Sequence, residues 1–247
     1  MRPIVYYHPA CYTSYTFLRA VRDLELDIEL VNLSNDLSLA IIKRILTVPL
    51  IEISGRYVYG GPINLDLAIR LLKEGRAELR VADPLESLGI ALVDSSAASS
   101  IVVTSGSLEQ ILKFEDFIKA ATGLELDPEG NEKLEQMKNI LRDGEASRNF
   151  IEKWRPKMIA TLVYNAVRER LYLGYPADIT EDDAALWLIA KSSIGRAGVP
   201  FWDRVQLIKS SAREMVQYYE QRKEKITEKL RREIDEIKAF YSGLYRS

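Results

Sequence analysis

Cys11 is the only cysteine in a chain of 247 residues. It lies in the stretch Tyr7-His8-Pro9-Ala10-Cys11-Tyr12-Thr13-Ser14, between the apolar run Ile4-Val5-Tyr6 and an amphipathic segment from Tyr15 to Leu24. A strand, a short turn containing Pro and a helix start together put the sulfur among backbone N–H groups that have no intrahelical partner, at the positive end of a helix dipole. Such a place favours the thiolate, the form that attacks disulfides and electrophiles. The spacing therefore predicts redox or conjugation chemistry; the alternative is a small buried hydrophobe, the commonest fate of a free cysteine. Ser14, one turn further on, is either a hydrogen-bond donor to the sulfur or simply an early-helix serine. His8, the sole histidine, would add to the thiolate preference only in its cationic form, and an imidazole of ordinary pKa, about 6.5, is mostly neutral near neutral pH. The alternative for His8 is a loop residue with no role.

The elements that must position the sulfur can be read from periodicity. Ile4 to Tyr7 reads as a strand, in which Tyr6 and Tyr7 point to opposite sides so that one of them is core. Phe17, Leu18, Val21 and Leu24 recur at helical spacing, Ile28 to Leu33 is a second strand, and Leu37, Ala40, Ile41 and Ile45 form the stripe of a second helix capped by Ser34, Asn35 or Asp36. Leu50 to Ile53 and Tyr57 to Tyr59 are short strands joined by a Ser54-Gly55 turn, hence antiparallel. A helix over Leu65, Ala68, Ile69 and Leu72 then stops at Gly75. The order βαβαββα closes one unit at residues 1–80, and after Asp83-Pro84 only helical patterns follow, over 85–247.

Two stretches carry a resemblance. Pro9-x-Cys11-x-x-Ser14 resembles the active-site loop of glutaredoxins, with Ser14 in place of their second cysteine. The series Thr47-Val48-Pro49, an apolar strand, a polar-Gly turn, a second strand and Gly60-Gly61 resembles the remainder of the same fold. The resemblance implies a thioredoxin-like domain in which Pro49 is cis, Val48 is turned toward Cys11, and Val48 and Pro49 dock an extended thiol partner. His8 stands where glutaredoxins often carry Lys. Their acidic residue for the γ-glutamyl end of glutathione is replaced by Pro62-Ile63-Asn64, which leaves Asn64 or Asp66 to substitute.

The helical remainder resembles the glutathione-transferase plan by architecture. Thr180 and Asp183 form a capping box, with Ile179 as a hydrophobic staple, at the head of the helix containing Leu186, Trp187 and Ile189. Helices are also expected over Leu108 to Ala121, Glu132 to Leu141, Ala146 to Leu173 and Glu181 to Ala197, with Pro156 kinking one or marking its start. The fold expected is thus α/β plus all-α: a glutaredoxin-like domain followed by a helical bundle, as in omega-type glutathione transferases, dehydroascorbate reductases and chloride intracellular channel proteins. The implied function is monothiol thiol-disulfide exchange or thiol transfer through Cys11, with no bound cofactor or metal, glutathione or another low-molecular-weight thiol as cosubstrate, and a small thiol or protein disulfide as partner. Two other functions stand beside it. One is a non-catalytic binding or scaffold protein; the other is a conjugating transferase that uses Tyr7, since some glutathione transferases stabilise the thiolate with a tyrosine at the end of the first strand.

Composition bounds the rest. With 47% hydrophobic residues and a formal net charge of −2, the chain reads as globular, without the basic excess that nucleic-acid binding needs. The absence of a leader pattern or of an apolar run of about 18 residues predicts a cytoplasmic protein outside the membrane. Few Cys and Met beside abundant Glu, Lys, Arg and Ile is also a bias of heat-adapted proteins. The small-residue run Ser95 to Ser100, within a segment Leu85 to Val103, suits a close backbone contact, at the junction of the two units or between subunits. Pro200 to Tyr241 reads as one long terminal segment whose stripe Ile226, Leu230, Ile234, Ile237 and Tyr241 serves either a homodimer or the chain's own core.

Overall fold

The computed structural model describes residues 2–193 and 204–244. Its first third follows the order that periodicity predicts: β1 (Ile4–Tyr7), α1 (Tyr12–Val21), β2 (Glu29–Asn32), α2 (Leu37–Ile42), β3 (Leu50–Ile53), β4 (Arg56–Gly60) and α3 (Leu65–Glu74). The strands form one mixed sheet in the order β2-β1-β3-β4. β1 and β2 are parallel, as the crossover through α1 allows, whereas β3 runs antiparallel to both β1 and β4. Ser54 and Gly55 turn the hairpin with φ of 54° and 79°, the left-handed pair that a two-residue connection needs if its twist is to match the strands.

Alternation along β1 and β3 distributes side chains to two apolar layers. Val5, Tyr7, Ile51 and Tyr59 pack with residues of α1, α3 and the C-terminal helix, while Tyr6, Leu33, Ala40, Ile45 and Leu50 pack on the other face. Both tyrosines of β1 are therefore core. Glu52, buried in β3, accepts from Tyr6 at 2.7 Å and from Lys43 Nζ at 2.9 Å, and Tyr57 donates to the Lys43 carbonyl at 2.9 Å. These bonds fasten the end of α2 to the sheet and so fix the start of the loop that leads to Val48.

Beyond α3 the described residues contain helices and no strand. They are α4 (Pro84–Asp94), α5 (Ser96–Ser105), α6 (Glu115–Thr122), α7 (Gly130–Arg142), α8 (Gly144–Tyr172), α9 (Glu181–Ser193), α10 (Val205–Glu220) and α11 (Lys223–Leu244). The segment Leu85 to Val103 is two helices that meet at about 100°. Ser95 makes the break: its backbone is extended, its hydroxyl accepts the Ala98 N–H to cap α5, and the same hydroxyl donates to the Leu46 carbonyl on the sheet side. A serine whose side chain satisfies the backbone in this way competes with helix continuation. The small residues that follow let α5 nest among α4, α8, α9 and α10, so the Ser95 to Ser100 run is spent inside the chain and at the seam with the sheet.

Other segments differ from their sequence reading in detail. Leu108 to Ala121 divides into a 3₁₀ turn at Ile111–Lys113 and α6, and Pro156 lies inside α8. The terminal segment is a pair of helices that turns at Gln221-Arg222; Pro200, like Ala197, falls outside the described residues. The apolar rhythm runs in phase through this turn, from Ile208, Ala212, Met215 and Tyr219 to Ile226 and Leu230, and no Gly or Pro marks it, which is why periodicity alone reads one segment. The α11 stripe is buried against the chain itself, chiefly α8 and α1. The capping box at Thr180 and Asp183 is formed reciprocally, with backbone-to-side-chain bonds of 3.0 and 3.1 Å. Among the described residues no single helix is long and apolar enough to cross a membrane.

Ala98 is fully buried in α5. Ala98→Leu should overpack that contact and cost about 1–3 kcal/mol, read as a lowered midpoint in thermal melts; an unchanged midpoint would mean that α5 is not the packed centre of the helical layers.

Candidate active site

Cys11 is the N-cap of α1, with extended backbone (φ −88°, ψ 119°), and its Sγ accepts the Ser14 N–H at 3.5 Å. Its own N–H closes the preceding turn on the His8 carbonyl at 2.9 Å. The Val48–Pro49 peptide is cis, and the Val48 carbonyl lies 3.5 Å from Sγ. As a thiol the sulfur can donate to that carbonyl; as a thiolate it keeps the Ser14 N–H, an orphan donor of the helix start that stabilises negative charge. The residue is half-buried, open on one side.

Ser14 contributes through its backbone. Its hydroxyl is fully buried and accepts the His8 N–H at 3.4 Å, which fixes the turn rather than the sulfur. His8 Nδ1 accepts the Ala10 N–H at 3.2 Å. Burial, reinforced by Lys191 and opposed by Glu169, pushes the imidazole below its usual range, so the ring is neutral at neutral pH and brings no positive charge to Cys11.

Sγ opens onto a cavity of about 410 Å³. Its walls come from both halves of the chain: the α1 start, Thr47 and Val48 before β3, the α4–α5 bend with Asp94 and Ser96, and residues of α8, α9 and α11 such as Arg168, Lys191 and Lys229. These three cations share two carboxylates. Arg168 bonds Glu233 at 2.8 Å, Lys191 pairs with Glu169 at 2.7 Å, and Lys229 lies 3.7 Å from Glu233. Asp94 is different. No hydrogen bond or ion pair reaches its carboxylate among the described residues, and burial pushes its pKa up to about 6. The hydroxyl of Thr47, a residue only 5% exposed on the same wall, likewise has no partner among the described residues.

The residues singled out in the sequence divide on this geometry. Cys11, His8 and Val48 line the cavity, with Pro49 buried behind Val48. Tyr7 does not; its ring stacks on Tyr241 at 6.0 Å within the core layer of α11. Asn64 caps α3 by accepting the Leu67 N–H at 3.0 Å, and Asp66 is exposed in its first turn; neither reaches the cavity. Asp94, Thr47 and Arg168 escaped the sequence reading as site residues. The one signal for Asp94 is that it is the sole acid between Ser87 and Ser107. No group of three or more His, Cys, Asp or Glu side chains among the described residues is arranged to hold a metal ion. Comparison with family models, with curated proteins and with solved structures finds no match for this chain.

Between its unfolded value of 3.8 and its folded value of about 6, Asp94 holds in the native state a proton that the unfolded chain has lost, so stability falls as pH rises through that window. Asp94→Asn removes this cost. It should stabilise the protein by about 1–2 kcal/mol at about pH 7.5, after allowance for partial exposure, and by progressively less toward about pH 4. His8 titrates in both proteins, so their difference isolates Asp94. Denaturant melts at the two pH values check this; a neutral-pH loss of stability would contradict it.

Proposed function

We propose that the protein is a monothiol exchange catalyst of glutaredoxin-like plan, its helical half arranged as in glutathione transferases, and that Cys11 is its nucleophile. The observation that carries this reading is the sulfur itself: half-open at the start of α1, held by the Ser14 N–H, and facing the Val48 carbonyl beside a cis proline at the mouth of a cavity. The Cys11 thiolate attacks one sulfur of a disulfide R–S–S–R′, forming a bond from Cys11 to the R sulfur as the S–S bond breaks and R′S⁻ departs with the electron pair. A second, external thiolate attacks the mixed disulfide, takes the R sulfur and restores the Cys11 thiolate. An internal resolving step has no residue to perform it, because the chain has a single cysteine. The backbone of Val48 offers an extended thiol compound a strand-like edge. Such chemistry suits a reducing compartment such as the cytoplasm.

No observation favours the Tyr7-dependent transferase, since that ring is stacked in the core away from the cavity. A binding protein without turnover is the reading that kinetics must separate from exchange.

Incubation with glutathione disulfide and with bis(2-hydroxyethyl) disulfide, followed by intact-mass measurement, should show one thiol adduct on Cys11 that added thiol removes. Cys11→Ser should abolish the adduct and any disulfide reductase activity, while Tyr7→Phe keeps most of it. Reductase or conjugating activity that survives Cys11→Ser and is lost in Tyr7→Phe would overturn the proposal.

A further inference from the structure

The pairing of polar groups around the cavity beside Cys11 says what enters it. The three cations on its walls named above have two carboxylates between them: Arg168 and Lys229 share Glu233, at 2.8 and 3.7 Å, and Lys191 holds Glu169. Glu169 is further occupied by the Trp187 indole N–H at 2.8 Å. His8 is held neutral by burial. The amide of Asn165 is spent on Ser96 at 2.7 Å and on Arg168. Among the described residues no partner reaches the Asp94 carboxylate or the fully buried Thr47 hydroxyl.

Both groups also border Gly61. A Cβ added to Gly61 would lie 3.3 Å from Thr47 Oγ1 and 3.5 Å from Asp94 Oδ2, so both oxygens border the same point behind the β4 end. Burying polar groups without partners costs about 1–3 kcal/mol each, and more for a charged one. The fold accepts that cost in full at Thr47 and in part at the half-buried Asp94, on a single wall next to its only thiol. A carboxylate and a hydroxyl there are satisfied together by a group that brings positive charge and several N–H donors, which a carboxylate-bearing or neutral ligand end does not.

We infer that the cavity takes thiol or disulfide compounds that carry a protonated amine, and that Asp94, assisted by Thr47, binds the ammonium while the sulfur end lies at Cys11. This rests on the exchange reading for the sulfur, and not for the amine. The ammonium gives Asp94 the direct partner that no wall residue supplies among the described residues, so amine-bearing substrates are selected over neutral analogues of the same length. Asp94 and Thr47 are then specificity residues, supplied by opposite halves of the chain.

The test separates binding from chemistry. In a Cys11→Ser background, which cannot exchange, titration calorimetry is run with glutathione against N-acetylglutathione and with cysteamine against 2-mercaptoethanol. At least one amine-bearing member should bind 10-fold or more tighter than its counterpart, and Asp94→Asn should erase that ratio; Thr47→Val, which keeps side-chain shape, should reduce it. Equal affinities within both pairs, no binding by either amine probe, or a ratio untouched by Asp94→Asn would overturn the inference. Thiolation of wild-type Cys11 by cystamine and by bis(2-hydroxyethyl) disulfide is measured alongside, each rate divided by that of free cysteine. Amine-selective binding without thiolation sinks the exchange reading and leaves the ammonium site standing; thiolation by both reagents at the same normalised rate, with no amine selectivity in the calorimetry, does the reverse.

Discussion

One buried hydroxyl holds the two halves of the site in register. Ser95 Oγ donates to the Leu46 carbonyl and accepts the Ala98 N–H, so the same atom ends α4, starts α5 and ties their bend to the loop that carries Thr47 and Val48. Without it, a carbonyl on the sheet side and an N–H at the α5 start would both be left buried and unpaired, at about 1–3 kcal/mol each. The consequence is geometric as much as energetic. Asp94 and Ser96 flank Ser95 in sequence, and because Ser95 is pinned to Leu46 they face the residues immediately after Leu46.

Asp94 departs from the way the other charges of the fold are placed. Inside the fold, charges are matched: Glu52 with Lys43, Arg168 with Glu233, Asp127 with Lys133 at 2.8 Å. Asp127 shows what pairing does to a carboxyl, since despite its burial the Lys133 bond and the Val81 and Glu129 N–H groups hold it down to about 2. Asp94, half-buried and unpaired, moves the other way. The contrast between the two aspartates is a contrast between a group that stabilises the fold and one that costs it.

Local chemistry made the sheet half legible. Period-two alternation in β1 and β3, the Ser54-Gly55 turn and Gly75 at the end of α3 are short-range signals, and each corresponds to an observed feature. Cys11 and Val48 came from spacing along the chain, and they lie 3.5 Å apart. What escaped was non-local. The Gln221-Arg222 turn has no breaker residue and keeps the apolar phase, so only packing distinguishes two helices from one. Asp94 reads in sequence as a stray acid in an apolar segment, and its placement depends on a 100° bend created by a side-chain bond to a residue 49 positions away. The position of Asn64 and Asp66 after Gly61 suggests ligand contacts, but the start of α3 consumes Asn64 as a cap.

The division of labour between the halves follows from these placements. The sheet half brings the sulfur, the helix-start N–H and the Val48 edge, which together could handle many thiol compounds because they touch only backbone and sulfur. Selectivity needs side chains that differ from one ligand to the next, and those come mainly from beyond Pro84, on α4, α5, α8 and α9. A cavity walled by both halves also lowers the local dielectric around the sulfur, so that a carboxylate without a direct partner weighs more there than it would at a surface. In the proposed exchange the helical half supplies no reacting atom: it lines the space into which Cys11 opens and places Asp94 there.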